Sequence, residues 1–417
     1  MAFLNTAPTF TDYAVNDRLK YVDSFLKEID SIVDFNKLKP ILNKNGIGTK
    51  NVCGVKAYDN VLMFKVLLLQ KFYDLSDKKV EEALYVNLLF MHFVGLSLEE
   101  LAPDDTTICR FRNSLITNKI YDKLFNHINK QLEDKGLIAK TGKSVLVDAT
   151  LIKSLNDGIK DKDKEQRTAN KIKVDEANRT LDLQIEEELK KTKPSRKTVD
   201  RLLRKKEHNS RTFKNQELDE LQKIDTKDIE TSKNIIENNE DSYEQNDKVD
   251  KEIRTGYQAG TKQYATGYKA HVATDSDSGA ILKPIMTFAN TSDISTVEII
   301  IETLEDIESL YADKAYKSEE VDKLLKDNDI KNEICLKETQ KMTKEERKAQ
   351  REIENPKHKI RAKVEHSFAR IKTQMKYHTT RYTGLVRNNM NFTIVCLASN
   401  LKLFAHKQIA LQKAINN

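Results

Sequence analysis

Cysteine is scarce in this chain of 417 residues: Cys53, Cys109, Cys335 and Cys396 lie far apart, with no Cys-x-x-Cys pair. Such spacing suggests neither a zinc site nor a disulfide framework, and reduced thiols in a cytosol fit best. Long apolar runs are missing too, since nothing approaches the roughly 18 residues of a membrane span. The opening Met-Ala-Phe-Leu-Asn-Thr-Ala-Pro lacks a basic region followed by an apolar stretch, so no export signal is expected and the default location is cytoplasmic. No regular repeat period is evident. Acids are nearly absent from one window: residues 357–387 hold nine Lys/Arg against one acid, Glu365. With a net charge of +6 overall, that window carries +8 and the remainder −2. Clustered cations attract phosphate through counterion release, which makes nucleic acid the leading partner for this surface. An acidic protein or lipid headgroups would answer the same charge. What the chain does have is 38% hydrophobic residues, enough for the cores of two or three domains despite 33% charged residues.

At 100° per residue on a helix, Arg361, Glu365 and Lys372 share a face beside an apolar stripe of Val364, Phe368, Ile371 and Met375. Asn355-Pro356 supplies the expected helix start, and Gly384 lies beyond its expected end. Alone, the segment reads either as an anion-handling surface carrying one placed acid or as an ordinary amphipathic helix with a solvated basic face.

Residues 15–135 read as mostly helical. Gly95 interrupts the helical spacing, and Pro103-Asp104-Asp105-Thr106 makes a good helix start. The arrangement is similar to a helix-turn-helix, in which Arg110, Arg112 and Asn113 would suit phosphates or base edges; a plain helical bundle with an Arg-bearing surface is the alternative. From Ser144 the period changes, and the β-branched run to Ile152 predicts a strand carrying Asp148. Residues 158–250 are rich in Lys, Glu, Asp and Asn, with Leu181, Ile185, Leu189, Leu218 and Leu221 at helical spacing. They predict a solvated or partner-bound helical arm broken at Pro194-Ser195. Next come a hairpin of Tyr264–Asp275 and Gly279–Ala289, a helix over Val297–Glu308 and a short strand over Leu310–Asp313. A helix over Ser318–Asp327, a strand over Lys331–Lys337 and the basic helix follow. This is an α/β order.

Asp148, Asp313 and Glu365 occupy distinctive places in that order. Separately, Asp148 is explained by a strand-end hydrogen bond and Asp313 by a turn or helix cap. Together they fit an order that resembles the ribonuclease H-like fold, whose first and fourth strands are neighbours near the sheet centre. Both aspartates would meet at one edge, and the later helix would bring Glu365 there. Three adjacent acids need a compensating cation, and hard divalent ions with oxygen ligands answer that need. Two such ions serve in-line displacement at phosphorus.

The chain resembles the DDE transposases of bacterial insertion sequences. Arg361, three residues, Glu365, six residues and Lys372 have the spacing of that family's signature, and the Val-Glu-His-Ser-Phe and Ile-Lys strings fit it. Val147-Asp148-Ala-Thr150, Gly267–Val272, Ala312–Tyr316, Pro103–Leu115 and Arg381–Arg387 are also similar to family segments. His358 stands where a tyrosine is common, and Ala315 where a glycine is common. The resemblance covers most of the chain except residues 158–250.

It implies a ribonuclease H-like mixed sheet flanked by helices, formed by residues 141–157 and 251–410. This core would follow an all-helical DNA-binding and dimerisation domain, 1–140, and be interrupted by the charged helical insertion 158–250. Asp148, Asp313 and Glu365 would be the metal-binding catalytic triad, working with Mg²⁺, replaceable by Mn²⁺, as two ions. The implied partner is double-stranded DNA, as element ends and target, handled by a homodimer. The implied reaction is cleavage at terminal inverted repeats followed by strand transfer. Arg361 and Lys372 are expected on scissile or flanking phosphates, with Lys314, Lys269, Arg110 and Arg112 as further DNA-binding candidates. His366 points about 100° from Glu365 and reads equally as a structural residue or a DNA contact. A metal-dependent endonuclease without strand transfer and a DNA-binding derivative with inert acids are the other readings.

Overall fold

A computed structural model describes residues 10–44, 57–154, 176–191, 198–207, 209, 250, 252–258, 263–336 and 343–416. The N-terminal part is helical, as expected: α1 (Phe10–Leu19), α2 (Phe25–Ile32), α3 (Lys39–Lys44), α4 (Asn60–Tyr73), α5 (Asp77–Val86), α6 (Leu88–Val94), α7 (Asp105–Thr117) and α8 (Tyr121–Asp134). Helix α4 has almost no solvated face, burying Leu62 through Phe64 and Val66 through Gln70, so it forms the bundle's centre. Gly95 (φ 81°) ends α6, and the Asp104 carboxylate accepts the Thr107 N–H at 2.6 Å to start α7. Of the charged insertion, two helices are described, α9 (176–189) and α10 (198–207), tied by Lys206 Nζ to Asp182 Oδ1 at 2.6 Å. The break at Pro194-Ser195, Leu218 and Leu221 lie outside the described residues.

The sheet contains β1 (Lys143–Ser154), β2 (Arg254–Gln258), β3 (Gln263–Asp275), β4 (Ile281–Phe288), β5 (Ile307–Ala312), β6 (Lys331–Asn332) and β7 (Thr379–Thr380). Central β1 pairs antiparallel with β3 and parallel with β5, while β3 pairs with β2 and β4 and β5 pairs with β6. β1 and β5 are the first and fourth of the strands expected from the sequence, and their pairing is the neighbour relation expected of a ribonuclease H-like sheet. Gly267 permits the close approach of β3 to β1, since a Cβ there would fall 2.0 Å from the Ile152 carbonyl oxygen. The remaining elements are α11 (Ser295–Thr303), α12 (Glu319–Asp327), α13 (Lys344–Arg361), α14 (Lys363–Ala369) and α15 (Leu385–Asn416). A π turn over Arg370–Gln374 follows α14.

Four local expectations change. Helix α11 stops at Thr303 because Leu304 turns extended and Asp306 (φ 57°) redirects the chain into β5. Of the strand expected over Lys331–Lys337, only Lys331–Asn332 is regular strand, although the Glu333 and Cys335 N–H groups still donate to the Leu310 and Ala312 carbonyls; Lys337 lies outside the described residues. The basic helix begins at Thr343, where a capping box with Glu346 satisfies two orphan N–H groups; Asn355-Pro356 lies inside α13. Gly384 (φ 85°) precedes α15 rather than ending the basic helix.

From Asn388 to Leu401 every residue of α15 is buried, because it packs on α2, α4 and α8 as well as on β4. Its asparagines are the polar side of that packing. Asn400 Oδ1 accepts the Ile281 N–H at 2.8 Å, and Asn400 Nδ2 donates to the Ile281 carbonyl at 2.8 Å. Asn389 Oδ1 takes the Met286 N–H at 3.0 Å. The outer edge of β4 is thereby closed by side-chain amides, which leaves no bare ladder there for a foreign strand.

Candidate active site

Register brings the first two acids together. Val147 pairs with Ala312 across β1 and β5, so Asp148 and Asp313 are the next residue on each of two parallel neighbours. Asp313 ends its strand as the cap of a short 3₁₀ turn, Lys314–Tyr316, accepting the Lys314 N–H at 2.7 Å. Glu365 comes from α14, whose Val364 and Phe368 are buried together with Ile371 and Met375 beyond it, the expected apolar stripe. Its side chain is 67% exposed and reaches the group through Arg361, whose guanidinium lies 3.8 Å from Asp148 Oδ2 and 3.6 Å from Glu365 Oε1. Lys372, on the π turn, donates to Thr150 Oγ1 on β1 at 2.7 Å. Arg361 and Lys372 therefore reach β1 at Asp148 and Thr150, and Glu365 joins them through Arg361.

The electrostatics at Asp148 are those of a carboxylate short of cations. Burial pushes its pKa up to about 6; the Ala149 N–H and Arg361 oppose this, while Asp313 and Asp293 add to it. Burial lowers Lys372, with Asp148 acting against that shift. Among the described residues, the three acids do not form a set of donors all within 4.8 Å of one another. They line one edge as hard oxygen donors with excess negative charge, a set that fits Mg²⁺ or Mn²⁺ rather than a soft metal.

Three residues of this end escaped sequence reasoning. Asp293, in the loop between β4 and α11, is a fourth acid: Lys269 Nζ lies 3.1 Å from its Oδ1, and His271 Nδ1 lies 3.9 Å away. His271 is fully buried beside Thr287 Oγ1 (2.9 Å), and burial lowers its pKa to about 4, so the ring is neutral. Tyr316 is buried, and its hydroxyl has no hydrogen-bond partner among the described residues; Asp293, Asp148 and Asp313 all hold its pKa up after burial. His271 and Tyr316 sit inside the Gly267–Val272 and Ala312–Tyr316 segments, which were the available signal.

The cations divide. Arg110, Lys314 and His366 are exposed. Lys269 is spent internally, donating to the Thr291 carbonyl at 2.6 Å as well as facing Asp293. Arg112 does not offer its charge to solvent: it is buried, donates to Asp77 and to Gln70 (3.2 Å), and lies 5.6 Å from the Tyr382 ring. The DNA contact expected of Arg112 is therefore replaced by a bond between α5, α7 and the Arg381–Arg387 run. Arg381 adds a second tie, to Asp74.

Strand order and the two acids where the β1–β5 pairing ends define a ribonuclease H-like protein. Comparison with known families carries this further. A family model described as "Transposase DDE domain" matches residues 220–401, which include Asp313 and Glu365, and one described as "Transposase domain (DUF772)" matches residues 14–114. The chain is a DDE transposase of the insertion-sequence type, an enzyme class that acts on DNA and works with divalent metal. No solved structure matches it. Among the described residues no helix is long and apolar enough to cross a membrane.

Proposed function

We propose that this transposase binds the terminal inverted repeats of its own element, cleaves a phosphodiester there with Mg²⁺, and joins the freed 3′-hydroxyl to target DNA. The observation that carries the reading is the adjacency of Asp148 on β1 and Asp313 just past the end of parallel β5, each one residue beyond the paired Val147 and Ala312, with Glu365 linked to Asp148 through Arg361. Asp148, Asp313 and Glu365 would hold the divalent ions. Bound Mg²⁺ supplies Lewis acidity at the scissile phosphate and makes a hydroxyl nucleophile available near neutral pH. Arg361 and Lys372 orient and neutralise the phosphates beside the cut, and Arg110 and Lys314 extend the contact along the backbone. The division into a helical domain (1–140), a split catalytic core (141–157 and 251–410) and a charged arm (158–250) gives these roles separate homes. End recognition belongs to the first, and a homodimer holds two ends together. The working place is the bacterial nucleoid.

The test uses the full chain with a duplex bearing the element's end and a supercoiled target. Mg²⁺ or Mn²⁺ should yield a nick exposing a 3′-hydroxyl and then joined product, while Asp148→Asn and Glu365→Gln bind the duplex but do not cut it. Wild type that cuts no cognate end with either ion rejects the enzymatic reading. Cutting without any joining of a precleaved end would leave a nuclease instead.

A further inference from the structure

A second cluster of metal-type donors lies between the segment after β6 and α13, near Arg361. Cys335, just after β6, is buried, and its N–H donates to the carbonyl of Ala312, the residue before Asp313 (3.1 Å). Glu354 and His358 project from the same face of α13, four residues apart, as helical ligand pairs do. Glu354 is buried, His358 is exposed, and donor atoms of the three residues all lie within 4.8 Å of one another. Among the described residues, no other triple of His, Cys and carboxylates meets that condition.

We infer that Cys335, Glu354 and His358 form a binding site for one zinc-type divalent cation, separate from Asp148, Asp313 and Glu365. Four observations support this. The Sγ of Cys335 lies 3.5 Å from Nδ1 of His358. Zn–S near 2.3 Å and Zn–N near 2.0 Å at a tetrahedral angle require about 3.5 Å between those donors, so the pair already has the spacing a shared ion needs. The thiolate, imidazole and carboxylate set suits zinc or cobalt and not Mg²⁺, which prefers an all-oxygen shell. The carboxylate is held ready, since Glu354 Oε2 accepts the Leu336 N–H at 2.9 Å, the kind of outer hydrogen bond that orients a ligand. Lys357 does not block the site: its Nζ is 3.5 Å from Glu354 Oε1 but has an alternative partner in Glu333 Oε2 at 3.3 Å. Exposed His358 gives the ion a way in, and three protein donors leave a fourth position for water.

The residue that departs from the family pattern thus acquires a role, because the tyrosine common at position 358 could not supply an imidazole. An ion here fastens the segment after β6 to α13 less than one helical turn before Arg361. It would set the placement of the arginine that spans Asp148 and Glu365, while taking no part in the cut. This assignment stands without the transposition reading and is measured apart from it.

The test titrates cobalt(II) into full-length, chelator-stripped protein under reducing conditions and follows its absorption. Wild type should bind one equivalent with a thiolate-to-cobalt charge-transfer band and intense tetrahedral d–d bands, and zinc should abolish both. Millimolar Mg²⁺ should not. Cys335→Ser should lose the charge-transfer band, and His358→Tyr, a change at an exposed position, should weaken binding at least tenfold. Asp148→Asn and Glu365→Gln should bind cobalt as wild type does. Absence of the band in wild type, its survival in Cys335→Ser, or undiminished affinity in His358→Tyr would each overturn the assignment and leave a thiol–imidazole hydrogen bond.

Discussion

Asp148→Asn should destroy activity and yet make the metal-free protein more stable. The carboxyl is displaced from 3.8 to about 6, chiefly by burial. Between those values the folded chain keeps a proton that the unfolded chain has released, so stability falls as pH rises through that window and is level above it. At about 1.36 kcal/mol per pH unit the full cost is about 3 kcal/mol, reached by pH 8, and about half of it remains at pH 5. The side chain is 24% exposed, so solvent screening trims the figure toward about 2 kcal/mol. Asparagine carries no such cost. Urea unfolding of both proteins in a chelator at pH 8 should place the variant's midpoint higher, with the gap narrowing by about half at pH 5. Adding Mg²⁺ should then raise the wild-type midpoint and leave the variant's nearly unchanged, since an ion that binds only the folded state stabilises it. Equal midpoints in chelator at both pH values would refute the claim that Asp148 sits buried among acids without adequate compensation.

Two further outcomes follow from side chains whose surroundings are defined. Arg112→Ala should lower stability by about 3–5 kcal/mol by leaving Asp77 half-buried without its partner, whereas Arg110→Ala should leave the melting temperature within error and weaken duplex binding; calorimetry with electrophoretic mobility shifts separates the two. Asn400→Leu orphans the Ile281 N–H and removes one of the two donors to its carbonyl, Asn129 Nδ2 remaining at 3.0 Å, so about 1–3 kcal/mol should be lost in urea titrations, and light scattering should reveal faster aggregation through the opened β4 edge; unchanged stability would count against the capping role.

Strands β1, β3, β4 and β5 and their order were legible because β-branched alternation, the turn residues Ser276–Gly279 and the position of Asp148 in an apolar run are local signals; β2 and the two-residue β7 were not expected. So was the stripe of Val364, Phe368, Ile371 and Met375. Arg112 was misjudged because its partner Asp77 lies 35 residues away, and nothing within α7 distinguishes an arginine aimed inward from one aimed at solvent. Asp293 reaches Asp148 only through the fold, from a loop two strands away across the sheet. The start of α13 was legible in principle, since Thr343-x-x-Glu346 is a capping box, but Asn355-Pro356 offered a rival start nearer the apolar stripe. The spacing of the cysteines suggested no zinc site, by a rule that holds for cysteine pairs and says nothing of a single thiol meeting ligands from another element.

Helix α15 makes the two matched regions one mechanical body. A strand edge of the sheet and the faces of α2, α4 and α8 all pack on this one helix, whose residues Asn388 to Leu401 are buried without interruption. Asn400 illustrates this by touching Asn129 of α8 at 3.2 Å and the backbone of β4 at once. Parts exchanged between relatives would therefore not be the helical head and the catalytic core as separable pieces. A chimera would need to carry α15 with whichever part it was fitted to and rebuild the opposite face. A junction in the charged arm would part β1 from β3 and β5 as well as the helical head from α15, so recombination within this lineage should spare both the arm and the C-terminal helix.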